Sequence, residues 1–462
     1  MKRKMINPKS TKFNQFFRLF VAGLILAVSM LVGCQGQSIL DAVITDPTPG
    51  TALTETPGIS ETSDDTTDAT GSPEAAAAAE ATFTPTTPSN IQLTVWVPPQ
   101  FSPYNETESA ELLTGQFKSF MTQNPIINLD IRVKAASGSG NILDTLVYAS
   151  QVAPEALPSL VLLSRADLEQ AAQKGLLQPI DEISSTIDES DWYGFAQSMG
   201  IVQGTTYGLP FASDALGLVY RDASLTSSQP AWNDVVVQLN SLVFPAADPS
   251  ILSTLALYLS AGGSVQDAQG QAFIDSDALI LTLTAYQQGL KSGLISADLL
   301  NLQTDDQAWE YYEANDDEGM ITWASRQLQD SEELKLALLP SLGETPITLA
   351  KGWVWCLVEP DELEQQYAGM LIEYLVKPDF LAEWSPKSGY LPVRPSSLAV
   401  WDNAVTADTI SKLLNSAQLR PNTNQVSTFN NGIKTAVQEI LSNQSQPADS
   451  AKKAIDSLEV VE

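Results

Sequence analysis

The chain of 462 residues contains no histidine. Without imidazole there is no Ser-His-Asp or Cys-His triad, and the usual histidine-bearing zinc sites are excluded with it. Cysteine is nearly as scarce. There are two, and Cys356 lies inside the apolar run "GWVWCLV", where it reads as a small core residue. No disulfide scaffold is expected in a body this long. Positive charge is also short: 24 Lys and Arg stand against 55 Asp and Glu, a net charge of −31. Nucleic acid and anionic lipid both need cationic surface, so neither is expected as a partner. The motifs G-x-x-x-x-G-K-[ST], G-x-G-x-x-G and G-x-S-x-G are missing. The acidic clusters "DESD" (188–191) and "NDDEG" (315–319) lack the spacing of a calcium loop. No metal or cofactor is expected. Composition leaves open an enzyme working with a carboxylate pair, because acids are abundant and no spacing singles one pair out.

The N-terminal segment answers where the protein acts. Residues 1–18 carry Lys2, Arg3, Lys4, Lys9, Lys12 and Arg18 and no acid, and 19–33, "LFVAGLILAVSMLVG", are apolar. A basic start, a short apolar stretch and a small residue before a cut make a secretory signal. The run is short for a membrane span, which needs about 20 residues; an uncut anchor is the other reading. "LVGC" resembles the lipobox of bacterial lipoproteins. The resemblance implies cleavage before Cys34 and lipidation of its thiol, and stable anchoring takes at least two acyl chains. Residues 35–90 are rich in Thr, Pro, Ala, Ser and Asp and have no Lys or Arg. Such composition is expected to stay disordered, a tether spanning roughly 40 Å as a flexible coil. Expected boundaries are therefore a signal peptide over 1–33 and a lipidated Cys34 with its tether over 34–90.

From Ile91 onward the composition changes, and all nine tryptophans lie beyond that point. A body of this length exceeds one ordinary core, so two lobes are expected. "IQLTVWV" (91–97) is a β-rich run and "ESAELLTGQFKSFMTQN" (108–124) has helical apolar spacing. "INLDIRVKAA" (127–136) alternates like a strand, and Asn141 is a candidate cap for the helix "ILDTLVYASQV". "LPSLVLLS" (157–164) and "RADLEQAAQKGL" follow as strand and helix. This alternation signals an α/β fold with a parallel sheet, whose ligands gather at the carboxyl ends of the strands.

Several later segments, in order, resemble the extracellular solute-binding proteins of ABC importers, the sugar-binding type. They are "AQKGLLQPIDE" (172–182), "GTTYGLPFASDALGLVYRDASL" (204–225), "PAWNDVVVQL" (230–239) and "SAGGSVQDAQGQAFIDSDALILTLTAYQQGLKSGLIS" (260–296). "EGMITWAS" (318–325), "ALLPSLGETPITLAKGWVWCLV" (337–358), "LIEYLVKPDFLAEWSPKSGYLPVR" (371–394) and "SAQLRPN" (416–422) follow. Each is weak alone; their fixed order carries the resemblance. The chain departs from the family at Pro158-Ser159, at Tyr220-Arg221-Asp222 and at Cys356. The resemblance implies a two-lobed clamp of the periplasmic-binding-protein type, each lobe a mostly parallel sheet flanked by helices, with the ligand cleft between lobes. Three hinge crossings are implied near 212, 353 and 396, so lobe 1 is 91–212 plus 354–395 and lobe 2 is 213–353 plus 396–462.

A carbohydrate needs flat apolar faces for its C–H surfaces and planar polar groups for its hydroxyls. Trp353 and Trp323 are candidates because their segments border the family's cleft, whereas Trp96 and Trp355 sit in apolar strands and read as core. Asp214 follows the "LPFAS" crossing, where the family often places a ligand-binding acid; a hinge or turn role is the alternative. Arg165 follows a strand and is either a hydrogen-bonding fork or a surface ion pair. Phe101 and Asn141 lie in strand-end loops, and Tyr390 and Asn430 enter by position in the resemblance. The implied function is a monomeric lipoprotein that captures a sugar or related small solute outside the cell and delivers it to a permease, with no catalysis. Its place is the outer face of the cytoplasmic membrane or the periplasm. The rivals are a tethered carbohydrate-active enzyme and a solute-binding sensor component.

Overall fold

The computed structural model describes residues 90–462 apart from 222–224, 331–333, 360, 422 and 460–462. The signal segment, Cys34 and the tether expected before Ile91 lie outside the described residues. Among those described, no helix is long and apolar enough to cross a membrane.

The first part of the body follows the sequence pattern closely. β1 (Ile91–Val97) is followed by a helix, Glu108–Gln123, whose first turn is capped by the Thr107 hydroxyl accepting from the Ala110 N–H. β2 (Ile127–Val133) pairs parallel to β1. The side chain of Asn141 accepts from Asp144 N–H and so starts the helix Ile142–Val152. β3 (Leu160–Ser164) returns to the other side of β1, again parallel, and the helix Arg165–Gln173 follows directly. Helical crossovers impose this parallel order.

The rest is organised by two long strands. After a small hairpin of β4 (Ile201–Val202) and β5 (Thr205–Thr206), β6 (Gly208–Tyr220) runs for 13 residues, all buried. β7 (Leu242–Val243), β8 (Gly319–Trp323) and β9 (Lys335–Ala337) come next, then β10 (Thr348–Leu357) and β11 (Ala417–Leu419). The main sheet has the order β2-β1-β3-β10-β6-β8-β7, with β11 added on β10 and β9 on β6. It is mixed. β7–β8 and β10–β11 are parallel like β1–β2, but β10 is antiparallel to β3 and β6, and β6 is antiparallel to β8 and β9. Both long strands serve two sets of neighbours, so their direction is set by that crossing and not by a helical crossover. β6 pairs β10 through residues 208–215 and β8 through 216–220. β10 pairs β11 through 348–350 and β3 through 353–357.

The core follows from this layering. Trp96, Trp355 and Trp384 are buried, and the rings of Phe211 and Trp384 lie 4.4 Å apart. Cys356 is fully buried, and burial pushes its thiol pKa up, as expected for a core cysteine.

Candidate functional site

β10 reveals where the sheet is uncovered. Of its ten residues only Lys351 is exposed and only Trp353 half-buried; the others are buried. Positions two apart on a strand share a face, so one short patch of one face lies open. A register shift between Trp353 and Val354, opposite Ala212 and Pro210, marks the spot. Such irregularities often re-aim side chains beside functional sites.

On one side of the patch stands an aromatic group. The chain leaves β1 through Pro98 into a single turn, Pro99–Phe101, which drops Phe101 against four rings. Its centroid is 5.2 Å from Trp353, 5.0 Å from Tyr390, 5.9 Å from Phe211 and 5.9 Å from Trp384. Tyr390 follows Gly389, whose φ of 74° ends the helix Pro378–Ser388. The Tyr390 hydroxyl lies near the polar side-chain groups of Trp353 and Gln100 and feels the Asp214 charge. Burial, with a smaller push from Asp214, raises its pKa to about 12.

On the other side lies a charged group. Asp214 and Lys351 face each other across β6 and β10. The Asp214 carboxylate is buried; Oδ1 accepts from the N–H groups of Ala215 (3.0 Å) and Ser325 (3.1 Å), and Oδ2 accepts from Ser325 Oγ (2.6 Å). Burial raises its pKa, opposed by Lys351 and Ser325. Lys351 Nζ sits 3.8 Å from Asp214 Oδ2 and 3.7 Å from the centre of the Trp323 ring. Desolvation lowers the Lys351 pKa, while Asp214 and Asp305 pull it upward. Trp323 ends β8 and is half-buried. Beyond it, Arg326 pairs with Asp305 at 3.1 Å and with Asp306, and its guanidinium lies 5.3 Å from the Trp309 ring centre.

The structure therefore brings Trp353, Trp323, Asp214, Tyr390 and Phe101 together. It presents them differently: Trp353, Trp323 and Tyr390 are partly open, whereas Phe101 and Asp214 are 2% and 1% exposed. Three candidates are engaged by local structure. Arg165 donates from Nη1 to the carbonyls of Met199 and Ile201, both at 2.7 Å, and pairs with Glu169 at 2.8 Å, tying two helices together. Asn141 uses its oxygen as the helix cap and donates from Nδ2 to the Gly138 carbonyl. Asn430 donates to the Pro249 carbonyl at 3.2 Å. Lys351, Ser325, Arg326 and Gln100 were not singled out from the sequence. Lys351 carried a usable signal: it is the lone charge in "ITLAKGWVWCLV", two residues before Trp353.

A groove of about 1490 Å³ lies between the helices Glu108–Gln123 and Pro378–Ser388 and the segments 327–329 and 400–406. Its Gln329 lies against Gly389, one residue before Tyr390. Among the described residues no cluster of His, Cys, Asp or Glu is arranged to hold a metal.

Comparisons with known proteins agree with this architecture. No curated protein sequence matches the chain. Solved structures do. Maltose-bound MalE3 of T. maritima superposes with a TM-score of 0.62 at 18% identity, covering 80% of this chain and 100% of that one. The cyclic α-maltosyl-1,6-maltose binding protein of Arthrobacter globiformis gives 0.65 at 16% identity, covering 81% and 99%. An ABC transporter solute-binding protein of Thermotoga lettingae bound with α-D-tagatose gives 0.59 at 19% identity, covering 80% and 99%. At these identities the likeness establishes the periplasmic-binding-protein-like fold. Residues 116–412 match the family profile described as bacterial extracellular solute-binding protein, most of the chain, and the protein belongs to that family.

Proposed function

We propose that this protein captures an uncharged sugar or a related polyhydroxy solute outside the cell, binds it without turnover, and delivers it to the permease of an ABC importer. The observation that carries the reading is the open patch on β10, where Trp353 and Lys351 are the residues not buried, flanked by partly open Trp323 and Tyr390. Flat aromatic faces beside a few fixed polar groups are what a sugar ring needs. Charge supports a neutral cargo. Lys351 and Arg326 stand beside Asp214, Asp305 and Asp306, so the patch has no cationic excess to attract an anion. The carboxylates are also poorly placed for a hydrolase: Asp214 is buried with both oxygens hydrogen-bonded, and Asp305 and Asp306 are tied to Arg326.

In this reading residues 91–212 with 354–395 form one lobe and 213–353 with 396–462 the other. Tyr390 and Gln100 then face Lys351, Asp214 and Trp323 across a cleft, with Trp353 at the boundary. A solute touching both groups favours the closed clamp, because only that state offers both sets of contacts. Cys34 would hold the protein by lipid to the outer face of the cytoplasmic membrane or within the periplasm, the following tether would let a monomeric body reach its permease, and no nucleic acid takes part.

The test is thermal unfolding against maltose, maltotetraose, D-tagatose and other sugars, with a product assay alongside. A bound sugar at 100 times its Kd should stabilise by about 2.7 kcal/mol. The W353A variant should lose most of that response. A flat response to every sugar would remove carbohydrate from the reading, and released products would replace the receptor with an enzyme.

A further inference from the structure

We propose that Lys351 is a ligand-contacting, specificity-determining residue, donating hydrogen bonds from its ammonium group to a hydroxyl of the ring held against Trp323 and Trp353. This rests on the carbohydrate reading above. An ammonium carries three donors and no acceptor. Lys351 fills none of them with a protein hydrogen bond among the described residues. Its nearest acid, Asp214 Oδ2, is 3.8 Å away, an ion pair beyond hydrogen-bond reach. Its other neighbour is the Trp323 ring, which offers a face and no strong acceptor.

The position of this amine is well defined. It rises from a paired strand, opposite Asp214, on the face shared with Trp353. The side chain is 47% exposed, so a solute can reach part of it, while the neighbouring groups partly desolvate its ammonium. The surrounding charges are already matched, Asp214 by Lys351 itself and Asp305 and Asp306 by Arg326. The amine therefore meets a neutral acceptor better than a carboxylate of the cargo. A hydroxyl next to an apolar C–H face, as on a sugar ring, satisfies the ammonium and the indole at once. A site built to hydrogen-bond a hydroxyl discriminates strongly against the analogue lacking it, because its own polar group is then left unpaired.

Titration calorimetry with maltose, maltotetraose, D-tagatose and their monodeoxy analogues, on the wild type, K351M and the K351M/D214N double variant, tests this. The double variant leaves no unpaired charge at Asp214, and thermal unfolding verifies that each protein is folded. The expected result is a tenfold or greater loss of affinity in both variants for the sugar that the wild type binds. Both should also lose the wild type's preference for the parent sugar over one of its deoxy analogues. Unchanged affinity and preference would overturn the assignment. Tighter binding by K351M would overturn it too, showing that Lys351 merely covers Trp323. Absence of any sugar binding by the wild type would instead overturn the carbohydrate reading on which the assignment stands.

Discussion

Asp214 couples the site to the stability of the body, and its removal has a magnitude that follows from three hydrogen bonds. In D214A the N–H groups of Ala215 and Ser325 and the Ser325 hydroxyl lose their acceptor. A buried orphan costs about 1–3 kcal/mol, and water entering from the open Lys351 side recovers part of it. The expected loss is about 3–5 kcal/mol, a fall in Tm of about 4–6 °C for a body of this size. In D214N the amide oxygen still accepts from both N–H groups, and the Ser325 hydroxyl turns to accept from the amide, so the loss should be about 1 kcal/mol. The pH dependence separates charge from hydrogen bonding. Burial raises the Asp214 pKa above its ordinary value, so the folded state holds this proton more tightly than the unfolded state. Its contribution to stability is fully present below the ordinary carboxylate pKa and lost as pH rises through the raised folded value. Asn does not titrate. Calorimetric unfolding from about pH 7 to pH 4 should therefore shift the difference between wild type and D214N in favour of the wild type at acid pH. A difference independent of pH, or one growing toward neutral pH, would refute the argument that desolvation outweighs Lys351 and Ser325 at this carboxylate.

Gly352→Ala tests the close approach between the long strands. A Cβ there would lie 2.7 Å from the Ala212 carbonyl oxygen and 2.3 Å from Met199 Sδ; the backbone contact cannot yield cheaply. G352A should cost about 2–3 kcal/mol in thermal unfolding and weaken solute binding, because it moves Lys351 and Trp353 together. Arg394→Met tests a buried guanidinium, paired with the half-exposed Glu189, away from the patch. Arg394 is 2% exposed, pairs with Glu189 at 2.6 Å, donates to the Val376 carbonyl and covers the Trp192 ring at 3.8 Å. R394M should lower stability by about 1–3 kcal/mol, mostly from the Val376 carbonyl left without its donor, and leave solute affinity, measured by calorimetry, within about twofold.

The strand and helix limits between Ile91 and Gln173 were readable because the signals there are local. Apolar spacing, an Asn or Thr before a helix and prolines at the breaks each act within a few residues. The β1 limits and the Asn141 cap came directly from such signals. β6 was not readable as a crossing on that basis. All 13 of its residues are buried, so the sequence shows no alternation there, and only the order of the resembling segments placed it. Site residues divide along the same line. Trp353, Trp323 and Asp214, named from their places next to the crossings, lie together around the open patch. The partners of Arg165 and Asn430 include backbone carbonyls of distant segments, Met199, Ile201 and Pro249, which no side-chain pattern encodes. Phe101 shows a further limit: a loop aromatic was recognised, but its burial beneath Tyr390 and Trp353 depends on rings from three other segments.

The location of the open patch has a cause in the sheet itself. Along β10, β11 pairs as far as Ala350 and β3 begins at Trp353. Lys351 and Gly352 lie in the interval, paired only to β6 through Asp214 and Ser213. At that interval the strand has a neighbour on one side and none on the other, so neither set of flanking elements covers it. A long charged side chain is tolerated there because it is half-exposed and the buried Asp214 carboxylate lies opposite its ammonium. Gly352 holds the two strands close at the same point, and the register shift after it leaves Phe211 as the extra residue of β6, packed against Phe101 of the β1 loop. The uncovered interval and the charge pair thus sit at one feature: two strands that change partners within three residues. On the proposed reading, a solute bound on that interval would touch groups belonging to both sets of strands, which is the condition for binding to be coupled to their relative position.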